Sequence, residues 1–174
     1  MGLLRAVNVG GRKLLMADLK RITHEAGFDA PQTLLASGNV IFGTTLSDAL
    51  TTERLAAAIL SGVGMATDVM VRDHAGVSVV MAANPFPDQA QDAPSRLMAM
   101  FLDGDPTGDP EALASVCLAG EEVRRGPGCL YVWFPHSAGT SKLTTAVIER
   151  RLKVRGTMRN WNTVAKLAAL VNVG

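Results

Sequence analysis

Two segments near the end of the chain, Thr140-Ser-Lys-Leu-Thr144 and Thr157-Met-Arg-Asn-Trp-Asn162, hold more cationic and amide side chains than a core requires. Their chemistry suits an anion. A guanidinium at Arg159 and an ammonium at Lys142 neutralise charge, Asn160 and Asn162 orient a ligand by hydrogen bonds, and Trp161 offers a face to a base. Ser141 is expected to open a helix, where free N–H groups and the macrodipole favour negative charge. The start of the chain adds Arg5 in an otherwise apolar strand, Asn8 behind it, and the pair Gly10-Gly11, where backbone can approach a ligand closely. Ser37-Gly-Asn39 adds a third polar turn. Each has a plainer reading: helix caps at Ser141 and Asn162, a core ring at Trp161, a hairpin turn at 37–39.

The standard catalytic patterns are missing from the sequence. Gly10-Gly-Arg-Lys13 lacks the upstream glycine and the following hydroxyl of a phosphate-binding P-loop, and neither GxSxG nor HExxH occurs. His24, His74 and His136 are isolated and read as surface residues. Cys117 and Cys129 form no CxxC or His-linked set, so they read as buried thiols of a reducing compartment, and no metal or cofactor is expected. No carboxylate pair stands near the Asn-rich segments, so neither a general base nor a nucleophile can be named.

The elements that must carry these groups follow from periodicity. Leu3–Val7 reads as a strand, and Leu15, Leu19, Ile22 and Ala26 recur at helical spacing before Gly27. Residues 33–36 and 40–43 form a hairpin. A second helix carries Leu55, Ala58 and Ile59 to Gly62, residues 68–72 form a strand, and Asp73 caps a helix ending before Pro85. Residues 85–95 are rich in proline and polar groups and read as a linker. The order then recurs: strand 96–102, helix 109–118, strands 121–125 and 129–134, helix 141–152, strand 157–160, helix 163–171. The expected fold is therefore α/β (α+β), two tandem ferredoxin-like βαββαβ subdomains, 1–84 and 96–174, each followed by an extra helix.

Composition agrees with a chain that builds a core: 48% of its residues are hydrophobic and 19% charged. No apolar run approaches the roughly 18–20 residues that cross a bilayer, and no secretory leader is visible, so a cytoplasmic location without membrane contact is expected. The net charge of +1 argues against a coat for nucleic acid. The charge is unevenly spread: residues 142–166 hold seven cations and one acid, and residues 85–122 hold eight acids and one cation.

Arg5-Ala-Val-Asn-Val-Gly-Gly11, Ser37-Gly-Asn-Val-Ile-Phe42, Ser141-Lys-Leu-Thr144 and Arg159-Asn-Trp-Asn-Thr-Val-Ala-Lys-Leu167 together resemble an uncharacterised bacterial family, a domain of unknown function. The resemblance runs along nearly the whole chain in order. It implies tandem ferredoxin-like subdomains in a cytoplasmic protein, and no known activity. The family pattern has glycine where this chain has Ala6, and often Tyr and Gln near Leu34 and Ala36.

The expected function is binding of a small phosphate-bearing anion, such as a nucleotide, in a cleft between the subdomains. Arg5, Lys142 and Arg159 supply charge. Gly10, Gly11 and Ser141 supply backbone donors, and Asn8, Ser37, Asn39, Asn160, Asn162 and Trp161 orient the ligand. Lys142 and Arg159 are expected outside the core, so alanine at either leaves the fold intact. RNA binding is the alternative, with Tyr131 and Trp133 alternating on one strand; a protein-interaction scaffold without a ligand is the third class. Substrate, oligomeric state and pathway are not written in the sequence.

Overall fold

Apolar residues at spacing three and four fix the helices of the first half. Leu19 and Ile22 bury one face of α1 (Met16–Glu25), and Leu55 and Ile59 bury one face of α2 (Asp48–Val63). Ser47 caps α2 by accepting the Leu50 N–H at 3.4 Å, and Gly64, at φ 64°, closes it. These faces lie on a sheet of β1 (Gly2–Leu4), β2 (Asp29–Leu34), β3 (Asn39–Gly43) and β4 (Val69–Val71), in the order β2-β3-β1-β4 with antiparallel neighbours. Leu4, Val40, Val69 and Val71 meet the helices, and Phe28 packs on Phe42 with ring centroids 4.5 Å apart. The computed structural model describes residues 1–8 and 13–171.

The second half begins with helices α3 (His74–Ala82) and α4 (Pro87–Asp92). Strands β5 (Leu97–Leu102), β6 (Glu122–Gly126), β7 (Cys129–Trp133) and β8 (Gly156–Asn160) then form a sheet in the order β6-β7-β5-β8, again antiparallel. Helix α5 (Thr145–Leu152) buries Ile148 and Leu152 on Met100, Leu130 and Val132, and α6 (Trp161–Val171) closes the chain. Among the described residues the fold is thus mixed α and β, with two four-stranded antiparallel sheets and six α-helices.

Packing divides the chain into two units, Met1–Ala75 with the residues from Ala169 on, and Gly76–Ala168. The expected linker 85–95 falls inside the second unit and carries α4, started by Pro87 after Phe86, which is buried.

Three expectations are corrected. Strand β2 begins at Asp29 rather than 33, and its register slips between Asp29 and Gln32, where Ala30 takes φ 42°. The helix expected over 109–118 is a single 3₁₀ turn, Pro110–Leu113. The N–H groups of Val116 and Cys117 both return to the Leu113 carbonyl, which ends the turn, and Gly120 at φ 81° redirects the chain. The helix expected from Ser141 starts at Thr145, because Thr144 is the residue that accepts the Val147 N–H.

Candidate functional site

The residues singled out from sequence divide between the units. In the first, the chain leaves β1 through Arg5–Asn8 and meets the β2–β3 turn. The Asn8 amide donates to the carbonyls of Ala36, at 2.5 Å, and Leu14, at 3.2 Å, and its oxygen accepts the Leu14 N–H. Asn39, fully buried, donates to the Leu34 carbonyl and to Ser37 Oγ. These amides therefore tie the loop and the turn to each other. Gly38, at φ 72°, lets the Leu4 N–H reach its carbonyl at 2.8 Å. Arg5 is half-exposed. Its guanidinium stands 3.7 Å from Asp68, its N–H donates to the Asp68 carbonyl, and its carbonyl accepts the Thr67 hydroxyl. Beside these three residues lies a hollow of about 320 Å³. Non-glycine residues at positive φ gather at this end of the sheet: Ala6 at 53°, Asn8 at 57° and Leu35 at 58°. Ala6 takes this left-handed conformation without glycine's freedom to do so. Gly10 and Gly11 lie outside the described residues.

In the second unit the Ser-Lys-Leu-Thr segment is a turn held by a carboxylate that sequence reading passed over. Glu121 is buried, accepts the Ser141 hydroxyl on Oε1, and accepts the Ala119 N–H on Oε2 at 2.8 Å. Ser141 Oγ in turn accepts the Leu143 N–H, and Leu143 is buried. The helix-start anion site expected at Ser141 is therefore replaced by an anchored turn, with Lys142 exposed upon it. The hydrogen bond from Ser141 holds the Glu121 carboxyl below its usual range, with further help from the Ala119 N–H and the charge of His136. Cys117, close to this carboxylate, has its thiol pushed up by burial and by the Glu121 charge, which makes it a poor nucleophile.

The sign of the Glu121 effect follows from linkage. A carboxylate whose native pKa is depressed contributes stability above its unfolded pKa and loses it as pH falls through the native value. Glu121→Gln is expected to cost about 1–2 kcal/mol at neutral pH, and its deficit against wild type should shrink in acid below about pH 4. Urea midpoints measured from neutral pH into acid check this; a deficit independent of pH would mean the charge contributes nothing.

The Arg159-Asn-Trp-Asn162 segment spans the end of β8 and the start of α6. Asn160, rather than Asn162, is the cap: its oxygen accepts the Thr163 N–H and hydroxyl. Asn162 is exposed. Trp161 is 7% exposed and packs on Tyr131 at 6.3 Å, so it presents no open face to a base. Arg159 is 6% exposed, against the expectation that it lies outside the core. Its guanidinium donates to Thr157 Oγ1 at 2.7 Å and to the Met158 carbonyl at 2.8 Å, and burial pulls its pKa down to about 10.

A groove in the first unit involves none of these groups. It holds about 750 Å³ and runs along the ends of β2, β3 and β4 and the start of α2. Ile41, Phe42, Leu46 and Val71 form its apolar wall, with Leu170 from the end of α6. Gln32, Thr44, Arg72 and His74 add polar groups, and Asp29, Asp48 and Asp73 give it an acidic rim. No run of sequence marks this place, because its lining comes from segments far apart in the chain, and Asp73 reads from sequence as a helix cap. Among the described residues, no three His, Cys, Asp or Glu side chains are grouped to hold a metal ion, and no helix is long and apolar enough to cross a membrane.

Comparison with known proteins adds a family and a fold. Residues 1–131 match the family model described as protein of unknown function (DUF1697). No curated protein matches. Among solved structures, the conserved bacterial protein SP0830 from Streptococcus pneumoniae is similar with a TM-score of 0.71 and 20% identity, over 98% of this chain and 96% of that one. At that identity the likeness speaks for the fold alone.

Proposed function

We propose that the chain, which belongs to the DUF1697 family of proteins of unknown function, binds a small molecule in the groove of its first unit. The groove's size and lining carry this reading. Small-molecule sites are concave, about 300–1,000 Å³, with apolar walls and a few polar groups that orient the ligand. Phe42 and Val71 provide the wall, and Gln32, Thr44 and His74 the orienting groups. The tandem ferredoxin-like architecture belongs to the same proposal. It is supported by the strand order second-third-first-fourth in each sheet, with a 3₁₀ turn replacing the first helix of the second unit. A cytoplasmic location is proposed with it, in keeping with Cys117 and Cys129, which form no disulfide.

The phosphate-bearing ligand expected from sequence has a second and smaller place, the hollow beside Arg5 and Thr67, where Asp68 competes for the guanidinium. Three carboxylates at the rim of the groove, set against Arg72 and the Met1 ammonium, weigh against a phosphate there. For RNA, the sheet of the second unit offers little: Tyr131 is fully buried, and its hydroxyl donates to the Val80 carbonyl at 2.6 Å.

A thermal-shift screen of neutral and amine-bearing metabolites, nucleotides, sugar phosphates and short RNA tests the reading. A groove ligand at 100 times its dissociation constant should add roughly 2.7 kcal/mol of stability. That gain should vanish in Thr44→Trp, which fills the groove from an exposed position. A shift given by phosphates, kept in Thr44→Trp and lost in Arg5→Ala, would move the site to the end of β1. No shift with any class would leave the scaffold reading standing.

A further inference from the structure

Strand β6 is the outer strand of its sheet, with β7 as its hydrogen-bonded neighbour. Its free edge can be located residue by residue. The Leu102 N–H donates to the Gly128 carbonyl and the Phe134 N–H to the Arg96 carbonyl, so the even-numbered residues of this stretch turn their backbone groups toward β5. Cys129, Tyr131 and Trp133 turn theirs toward β6, opposite Gly126, Arg124 and Glu122. Val123 and Arg125, between these, aim N–H and C=O away from β7, into the open edge. The Arg124 guanidinium reaches round to the Val123 carbonyl at 3.1 Å, on the outer side of the strand, and shares or yields that carbonyl when a partner's N–H pairs with it.

The sequence along this edge is Glu121-Glu122-Val123-Arg124-Arg125: acid, acid, valine, base, base. Such a pattern is complementary to itself when reversed. With two copies antiparallel about a two-fold axis at Val123, the valines exchange both backbone hydrogen bonds, and each Glu122 stands opposite the other copy's Arg124. These cross-strand pairs have Cβ atoms about 4.5–5.5 Å apart. The adjacent permitted registers, two residues to either side, bring Glu122 onto Glu122 or Arg124 onto Arg124. Charge therefore selects one register.

Natural edges are ordinarily blunted by proline, bulges or charged side chains. The edge strand β2 shows this protection, with Pro31 inside it and a slipped register beside it. Strand β6 has no proline and no register slip within its span, Pro127 lying in the turn beyond; its protection is charge, and that charge is of both signs. Arg124 is exposed and Glu122 half-buried on one face, 2.7 Å apart, and Arg124 is steadied by the Phe86 ring at 5.9 Å. Glu121 is engaged by Ser141, so the charge recognition rests on Glu122 and Arg124.

We infer that β6 is a self-association edge: two copies of this chain pair antiparallel through β6 about a two-fold axis at Val123, joining their second-unit sheets into one. The contact is short, far below the roughly 1,200–2,000 Å² of a stable complex, so the dimer is weak and exchanges quickly.

Sedimentation equilibrium of the full chain over a rising concentration series tests this. Wild type should show a monomer–dimer equilibrium weakened by salt. Glu122→Lys and Arg124→Glu should each raise the dissociation constant by roughly tenfold or more. An equimolar mixture of those two variants should dimerise again, since one carries two cations and the other two acids at the paired positions. Val123→Pro should abolish the dimer while the far-ultraviolet spectrum stays native, because its N–H is outside the β6–β7 ladder. A wild type that stays monomeric throughout, a dimer undisturbed by Val123→Pro, or charge variants that fail to complement each other would each overturn the inference.

Discussion

Alanine at Gly38 is expected to lower the unfolding free energy by about 3 kcal/mol, from roughly 1 kcal/mol of left-handed backbone strain and 1–3 kcal/mol of overpacking. Gly38 holds φ 72°, and a Cβ there would stand 2.4 Å from Val7 Cγ2 and 2.9 Å from Leu4 Cβ. Leu4 ends β1 and Val7 lies in the segment that leaves it, so the substituted turn must either push these residues away or lose the Leu4–Gly38 hydrogen bond. Gly64 provides the control. It has nearly the same φ, 64°, and nothing within 4 Å of the added atom, so alanine there should cost only the backbone strain, about 1 kcal/mol. Ala6→Gly runs the other way. At φ 53° in an exposed position, glycine should relieve strain and add up to about 1 kcal/mol. Urea denaturation of the three variants beside wild type measures all three effects. If Gly38→Ala cost no more than Gly64→Ala, the turn would not be clamped on β1, and the collected strain at this end of the sheet would have no structural cause.

Much of the fold is legible because local signals agree with tertiary ones. The apolar runs at 97–102 and 129–133 sit in central strands buried on both faces, and Leu19, Ile22, Leu55 and Ile59 bury the helix faces that their spacing announces. Expectation and structure part where a distant residue decides. Ser141 and Thr144 are equally good cap residues by type, and only Glu121, twenty positions away, takes the Ser141 hydroxyl and moves the helix start to Thr145. The 109–118 segment contains good helix formers, yet its N–H groups close on Leu113 and the chain turns away. The burial of Arg159 is hidden for a related reason. Arg-Asn-Trp-Asn reads as a polar surface, while strand alternation places Thr157 and Arg159 on one buried face, with Arg159 across from Ala99. Asn8 and Asn39 stand out in the sequence as polar turn residues, and in the structure their amides donate to backbone carbonyls.

Arg159→Ala is expected to destabilise the second unit by about 2–4 kcal/mol, since it empties a packed position and strips a donor from Thr157 and Met158. Arg159→Met should recover at least half of that loss. It keeps the length of the aliphatic stem, which fills the space beside Ala99, and removes a charge that burial opposes. The pH dependence identifies the charge as the cause. The native pKa of about 10 lies below the usual arginine value, so the unfolded chain holds this proton more tightly. The protonated side chain therefore opposes folding fully below pH 10, and the opposition fades as pH rises past it. Wild type should gain on Arg159→Met between pH 9 and roughly 11, with other titrating groups cancelling in the difference. Matched urea titrations at three pH values check the sign. A methionine variant as unstable as the alanine variant, with a difference flat in pH, would show that the guanidinium's hydrogen bonds outweigh its burial. A ligand-induced shift lost in both variants while methionine restores stability would instead make Arg159 a binding group, separating the anion role expected from sequence from a structural one.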